Sequence, residues 1–158
     1  MHKKKAPEVN IQLKKTSSTD PDFVQLVRQL DIYLAEKDGD EHGFYDQYNK
    51  LDSLQYVLVA YEDEKAVSCG AIKEFEPGTV EVKRMFTLPE FRGKGFASAV
   101  LNALEKWAGE LGYSKCMLET GKRQYEAVEF YPKNGYRLIP NYGQYEGVQN
   151  SLCFEKEI

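Results

Sequence analysis

EFRGKGFASAV, residues 90–100, sets an arginine, a lysine and two glycines directly ahead of an apolar run with helical spacing. Downstream, Ala97, Val100, Leu101, Leu104, Ala108 and Leu111 share one helical face, and Gly112 supplies a stop. Upstream, TVEVKRMFTL (79–88) has the composition of a strand. The stretch is therefore a strand-to-helix turn. Gly93 and Gly95 can take positive φ there and let a ligand approach the backbone closely. The opening N–H groups of a helix have no internal partner, and the helix dipole favours an anion beside them. With Arg92 and Lys94 alongside, the turn reads as a phosphate site. The plainer reading is a tight turn with solvated charges.

Working outward, VNIQLKKT (9–16) alternates as a strand does. Asp20 before Pro21 reads as an N-cap, and Phe23, Leu26, Val27, Leu30 and Leu34 follow at helical spacing. GDEHGFYDQYNKLDS (39–53) reads as a loop with a short second helix. YVLVAYE (56–62) and KAVSCGAIKEF (65–75) flank a charged turn at Asp63 as a hairpin, and 79–88 follows as a third sequential strand. SKCMLET (114–120) is a strand, YEAVEFY (125–131) a short helix, and GYRLIP and QNSLCFEKE two closing strands. These elements predict one α/β domain over residues 9–158, with a mixed sheet of about six or seven strands and about four flanking helices. Residues 1–8 read as a loose tail.

The chain has 158 residues, the usual size of one domain, and its net charge of −4 argues against nucleic-acid binding by bulk electrostatics. MHKKK has no apolar run behind it, so it is not a signal peptide, and no stretch approaches the roughly 18 apolar residues that span a bilayer. Cys69, Cys116 and Cys153 each sit in a strand-like apolar run, which predicts buried free thiols in a reducing, cytoplasmic setting. No metal site is expected from these cysteines with His2 and His42. Residues 93–98, GKGFAS, fit neither the P-loop nor the dinucleotide fingerprint.

Arg92-Gly93-Lys94-Gly95-Phe96-Ala97 matches R-x-x-G-x-G/A, and QYEAVEFYPKNGYR about 30 residues later matches N-x-x-A-x-x-L-Y-x-x-x-G-F at Ala127, Tyr131, Gly135 and Tyr136. In these motifs and in element order the chain resembles the GNAT N-acetyltransferase superfamily, and its LETG, GYRLIP and C-terminal CFEK stretches further resemble a bacterial branch of small proteins with mostly unassigned substrates. The sequence departs from the pattern with Gln124 in place of asparagine, and with Pro132, which opposes further helix after Tyr131.

The resemblance implies a GNAT-like fold whose fourth and fifth strands splay apart around acetyl-CoA. It implies a pyrophosphate held by the backbone from Gly93 through Lys94, Gly95 and Phe96 to Ala97, with Arg92 and Lys94 adding charge. Pantetheine would pair along Met85, Phe86 and Thr87, with Gln124 nearby. The implied reaction is direct acetyl transfer to a primary amine of a small molecule or an exposed amino group, without a cysteine nucleophile. Tyr131 would protonate the departing thiolate.

An ammonium must lose a proton before it attacks, so a carboxylate or a water chain should lie close. In TVEVKRMF, strict alternation places Val80, Val82, Arg84 and Phe86 on one face and Glu81, Lys83 and Met85 on the other. Charges in a central strand are costly unless paired or facing a cleft. Glu81 is the first candidate base; a structural ion pair is its plain alternative, and Glu119 is a second carboxylate. GDEHGFYDQY, with His42, and the tyrosine-rich PNYGQYEG run are candidate acceptor walls or simple surface wrapping. The rival to an enzyme is a non-catalytic acyl-CoA-binding module, favoured if Glu81 is locked in an ion pair. A nucleotide-binding domain using the same anion site is a third reading. An exposed final strand would allow a homodimer; otherwise the chain is a monomer.

Overall fold

A computed structural model describes residues 11–39 and 53–158. The expected tail at 1–8 lies outside them, as do His42, most of the GDEHGFYDQY stretch and the expected short second helix. The described elements run β1 (Gln12–Thr16), α1 (Pro21–Asp38), β2 (Tyr56–Glu62), β3 (Lys65–Glu76), β4 (Thr79–Thr87), α2 (Phe96–Glu110), β5 (Lys115–Gly121), α3 (Tyr125–Lys133), β6 (Arg137–Ile139) and β7 (Ser151–Glu157). Three α-helices rather than four therefore flank the sheet among the described residues.

Local chemistry fixes the ends of these elements. Asp20 Oδ1 accepts the N–H groups of Asp22 (2.8 Å) and Phe23 (3.3 Å), and Pro21 opens α1. Asp63 and Glu64, with φ of 47° and 70°, form the tight β2–β3 turn. Gly112, at φ 95°, ends α2, and Tyr113 N–H returns to Ala108 O at 3.0 Å.

Pro132 does not stop α3, which continues to Lys133. The missing N–H falls in the last turn, where Asn134 N–H and Tyr136 N–H both reach Tyr131 O (3.0 and 3.1 Å). Asn134 Nδ2 donates to Phe130 O at 2.9 Å, so the end of the helix is closed by other donors.

The seven strands lie in the order β1-β2-β3-β4-β5-β7-β6. Among the described strands only β4 and β5 are parallel; every other neighbouring pair is antiparallel. The final strand is not an exposed edge, contrary to the sequence reading. β7 pairs with β5 on one side and β6 on the other, because β6 returns along the outside.

Each face of the sheet buries its own core. Phe23, Leu26, Val27, Leu30 and Leu34 of α1 pack on Val57, Val59, Cys69, Ala71 and Phe86. On the other face Phe96, Val100, Leu101 and Leu104 of α2 cover Leu58, Val67, Ile72, Val80 and Val82. Each buried Val, Leu, Ile or Phe among them contributes about 1.5–3 kcal/mol. Cys69, Cys116 and Cys153 are free and buried.

β4 departs from regular alternation. Cys69 pairs with Phe86 and Ala71 with Lys83, so Gly70 alone faces both Arg84 and Met85. This is a β-bulge, with Arg84 at φ 59°. The extra residue moves the later side chains to opposite faces from those expected. Met85 joins the core under α2, whereas Phe86 packs in the α1 core, so Val82 and Phe86 do not share a face. Gly70 makes room for the bulge, since a Cβ there would run into Met85 Sδ and lie 2.9 Å from Leu104 Cδ1.

Pairing between β4 and β5 stops early. It holds at Thr79–Lys115, Val80–Cys116 and Glu81–Met117, and the strands part beyond those pairs. The bulge and the parting occupy the same half of β4.

Candidate active site

The turn at residues 92–95 carries Gly93 and Gly95 at φ 75° and 89°, and Gly95 caps α2 in the left-handed region. A Cβ at either glycine would meet no heavy atom within 4 Å, so the main chain there borders open space. The first bond of α2 is Ala99 N–H to Gly95 O at 3.0 Å, and no side chain among the described residues caps the helix. The N–H groups of Phe96, Ala97 and Ser98 therefore remain to receive an anion.

Arg92 lies on the wall of this space. Its Nε donates to Thr87 O (3.2 Å), Nη1 meets Glu126 at 3.3 Å, and the guanidinium stacks over the rings of Tyr33 and Phe86 at 5.4 and 5.9 Å. Lys94 is turned away, over the Phe91 ring at 5.2 Å, and does not line the cavity.

That cavity, of about 310 Å³, runs from the turn along Met85, Phe86 and Thr87 to Gln124 and Tyr131. A second cavity, about 100 Å³, opens where β4 and β5 part and holds Glu81, Arg84, Glu119 and Thr120. Both are walled by Met85, Gln124, Ala127 and Tyr131. The two cavities thus adjoin, with these side chains as a shared waist between them.

Tyr131 is buried among Phe130, Tyr136 and Phe154, with ring centroids 5.2, 5.7 and 6.1 Å away. Burial, and secondarily the Glu119 charge, pushes its phenol above the ordinary range, so the hydroxyl holds its proton.

Glu81 is held from two sides, by Lys83 Nζ at 3.1 Å and by the Tyr142 hydroxyl at 2.5 Å. Burial first, then Glu81, pushes the Tyr142 phenol up, which keeps it a donor. Ser151 Oγ donates to Glu119 at 2.7 Å. The PNYGQYEG run thus supplies a wall: Tyr142 reaches Glu81 and Tyr145 lines the smaller cavity.

Sequence reasoning did not single out Thr120, Tyr142 or Tyr145 individually. Arg84 was visible only as a costly charge in a central strand. Its side chain is 3% exposed, and Nη2 meets Asp31 of α1 at 3.0 Å. Arg84 Nε and Nη1 and the Thr120 hydroxyl have no hydrogen-bond partner among the described residues. Each such buried group costs about 1–3 kcal/mol.

Comparison with known proteins agrees with this architecture. The profile of the Acetyltransferase (GNAT) family matches residues 23–136. The IAA acetyltransferase of Azospirillum brasilense is 32% identical over 157 residues, spanning 94% of this chain and 99% of its own. A Klebsiella pneumoniae structure described as an acyl-CoA N-acyltransferase superposes with a TM-score of 0.78 at 28% identity, over 94% of this chain and 98% of its own. A GNAT family acetyltransferase of Elizabethkingia anophelis, solved with acetyl-CoA bound, shares the fold with a TM-score of 0.67 at 17% identity, over 94% of this chain and 99% of its own.

Proposed function

The chain belongs to the GNAT acetyltransferase family, and from that premise we propose that it moves an acetyl group from acetyl-CoA directly onto a primary amine. The observation that carries this reading is the shared waist at Met85, Gln124, Ala127 and Tyr131, which lies between an anion-receptive space and a polar one. Open space around Gly93 and Gly95, with unspent N–H groups just beyond, suits a diphosphate. Arg92 adds positive charge to the wall, and Lys94 acts only through its more distant field.

Acetyl-CoA brings an activated thioester. The main chain of Met85, Phe86 and Thr87 is free of β5 and offers an edge to pantetheine amides, with Gln124 at the same level. Glu81 takes a proton from the incoming ammonium, directly or through water, with Lys83 yielding its place as partner. A C–N bond then forms and the C–S bond breaks. Tyr131, still protonated, donates to the departing thiolate, and the surplus proton on the newly acylated nitrogen restores the phenol, directly or through water.

The Lys83–Glu81 pair also favours a second reading, an acyl-CoA-binding module with little turnover. A thiol-release assay with acetyl-CoA and a panel of primary amines separates the two. Acceptor-dependent thiol release supports transfer; acetyl-CoA binding with none supports the module. Thermal stabilisation by ATP but not by CoA would overturn both.

A further inference from the structure

The smaller cavity contains a cation that its surroundings leave half-paired. Arg84 projects from the bulge, where its own φ of 59° is unfavourable for a side-chain-bearing residue. Its single counter-ion among the described residues, Asp31, is itself 44% exposed and engages only Nη2. The Nε–H and both Nη1 hydrogens are unspent among the described residues, and so is the hydroxyl of Thr120 across the gap on β5. Both residues line the same cavity. A strained, buried guanidinium with unused donors is poorly explained by folding stability alone, since a buried cation lacking full pairing destabilises the fold.

The cavity is also bipolar. Glu81 and Glu119 line it together with Arg84. An acceptor bearing only an amine satisfies the carboxylates and leaves Arg84 underused. A diamine would bring a second cation towards Arg84 and Lys83. A molecule with an amine and a carboxylate matches both signs.

We infer that Arg84 anchors a carboxylate of the acceptor, with Thr120 as an auxiliary donor, so that the acceptors are small amino carboxylates such as amino acids. This rests on the acetyl-transfer reading and narrows it, because an amino group on a protein surface rarely presents a carboxylate within reach. On binding, the acceptor carboxylate opens the wall over Nε and Nη1, which are sealed from solvent in this structure, and the guanidinium fixes its orientation while the amine faces the carboxylates.

The test compares matched pairs on the wild-type protein with CoA present: phenylalanine against phenethylamine, leucine against isoamylamine, lysine against cadaverine. Binding is read by calorimetry and turnover by thiol release. The expected result is a preference of about a hundredfold for the carboxylate partner in at least one pair, since a site built to hydrogen-bond a group discriminates strongly against its absence. R84Q is expected to reduce that preference to a few-fold, and R84K to restore part of it.

Equal use of both partners overturns the inference and leaves acetyl transfer standing. Carboxylate binding that depends on Arg84, without thiol release, supports the inference and removes the transfer reading. A panel in which no carboxylate binds overturns the inference. The wild-type comparison decides even if R84Q does not fold.

Discussion

At the arginine–glycine turn the larger cavity meets glycines and unspent main-chain N–H groups, whereas at the parting of β4 and β5 the smaller cavity meets charged and polar side chains from several elements. The first arrangement is local. Eight consecutive residues, from Glu90 to Ala97, contain almost everything it requires. The second is assembled over distance: Glu81 meets Tyr142 at a separation of 61 residues, and Arg84 meets Asp31 at 53. One half of the cleft is encoded by backbone conformation, the other by side-chain pairing.

The contrast can be broken most sharply at the waist. Tyr131→Phe is expected to lower kcat roughly a thousandfold while leaving CoA affinity nearly unchanged, because only the donated proton is lost. Steady-state kinetics beside calorimetry with CoA measure the split; an unchanged kcat removes Tyr131 as the acid.

Gly95→Val addresses the main-chain half alone. Its Cβ has space, yet φ 89° is strained for valine and the added bulk lies where a diphosphate would approach. Acetyl-CoA affinity is expected to fall roughly a hundredfold, since small displacements at such sites are costly.

Glu81→Gln probes the side-chain half, with an expected loss of roughly a hundredfold in turnover and little change in CoA affinity. If Glu119→Gln shows that loss instead, the base is Glu119.

Asp20→Ala belongs to neither half and provides the baseline. Burial opposes the Asp20 charge, but hydrogen bonds from Lys14, Thr16 and the N–H groups of Asp22 and Phe23 outweigh it and hold the carboxyl below its ordinary range. Its stabilisation is present above the unfolded carboxylate pKa and lost as pH falls through the lower, folded one. Urea unfolding at neutral pH should show a loss of about 1–2 kcal/mol, shrinking in acid.

The smallest effect is expected at the cysteines. Burial pushes Cys69 up to about 12, and Cys116 and Cys153 to about 11. Modification by a disulfide reagent at pH 8 should be negligible until the protein unfolds.

The same contrast governs what could be read from the sequence. The N-cap at Asp20, the hairpin at Asp63 and the turn at Gly93 and Gly95 are short-range features, and each was legible. The parting of β4 from β5 came through the family resemblance. The bulge did not, because alternation has no term for an inserted residue; Gly70 opposite Met85 was its only local trace. Pro132 misled for a related reason, since its cost depends on which donors close the last turn. Tyr142 and Tyr145 appeared as part of an aromatic loop, and their carboxylate partners emerge only from the folded chain.

The surplus residue in β4 has an evolutionary corollary. Substitutions around the cleft can retune its preferences gradually, but loss of a single codon at Arg84 or Met85 would leave one residue opposite Gly70, with Lys83 and Phe86 keeping their partners on β3, and remove the bulge in one step. Length is therefore under a separate constraint from composition here, and shortening variants of this segment should lose activity whichever amino acid is deleted.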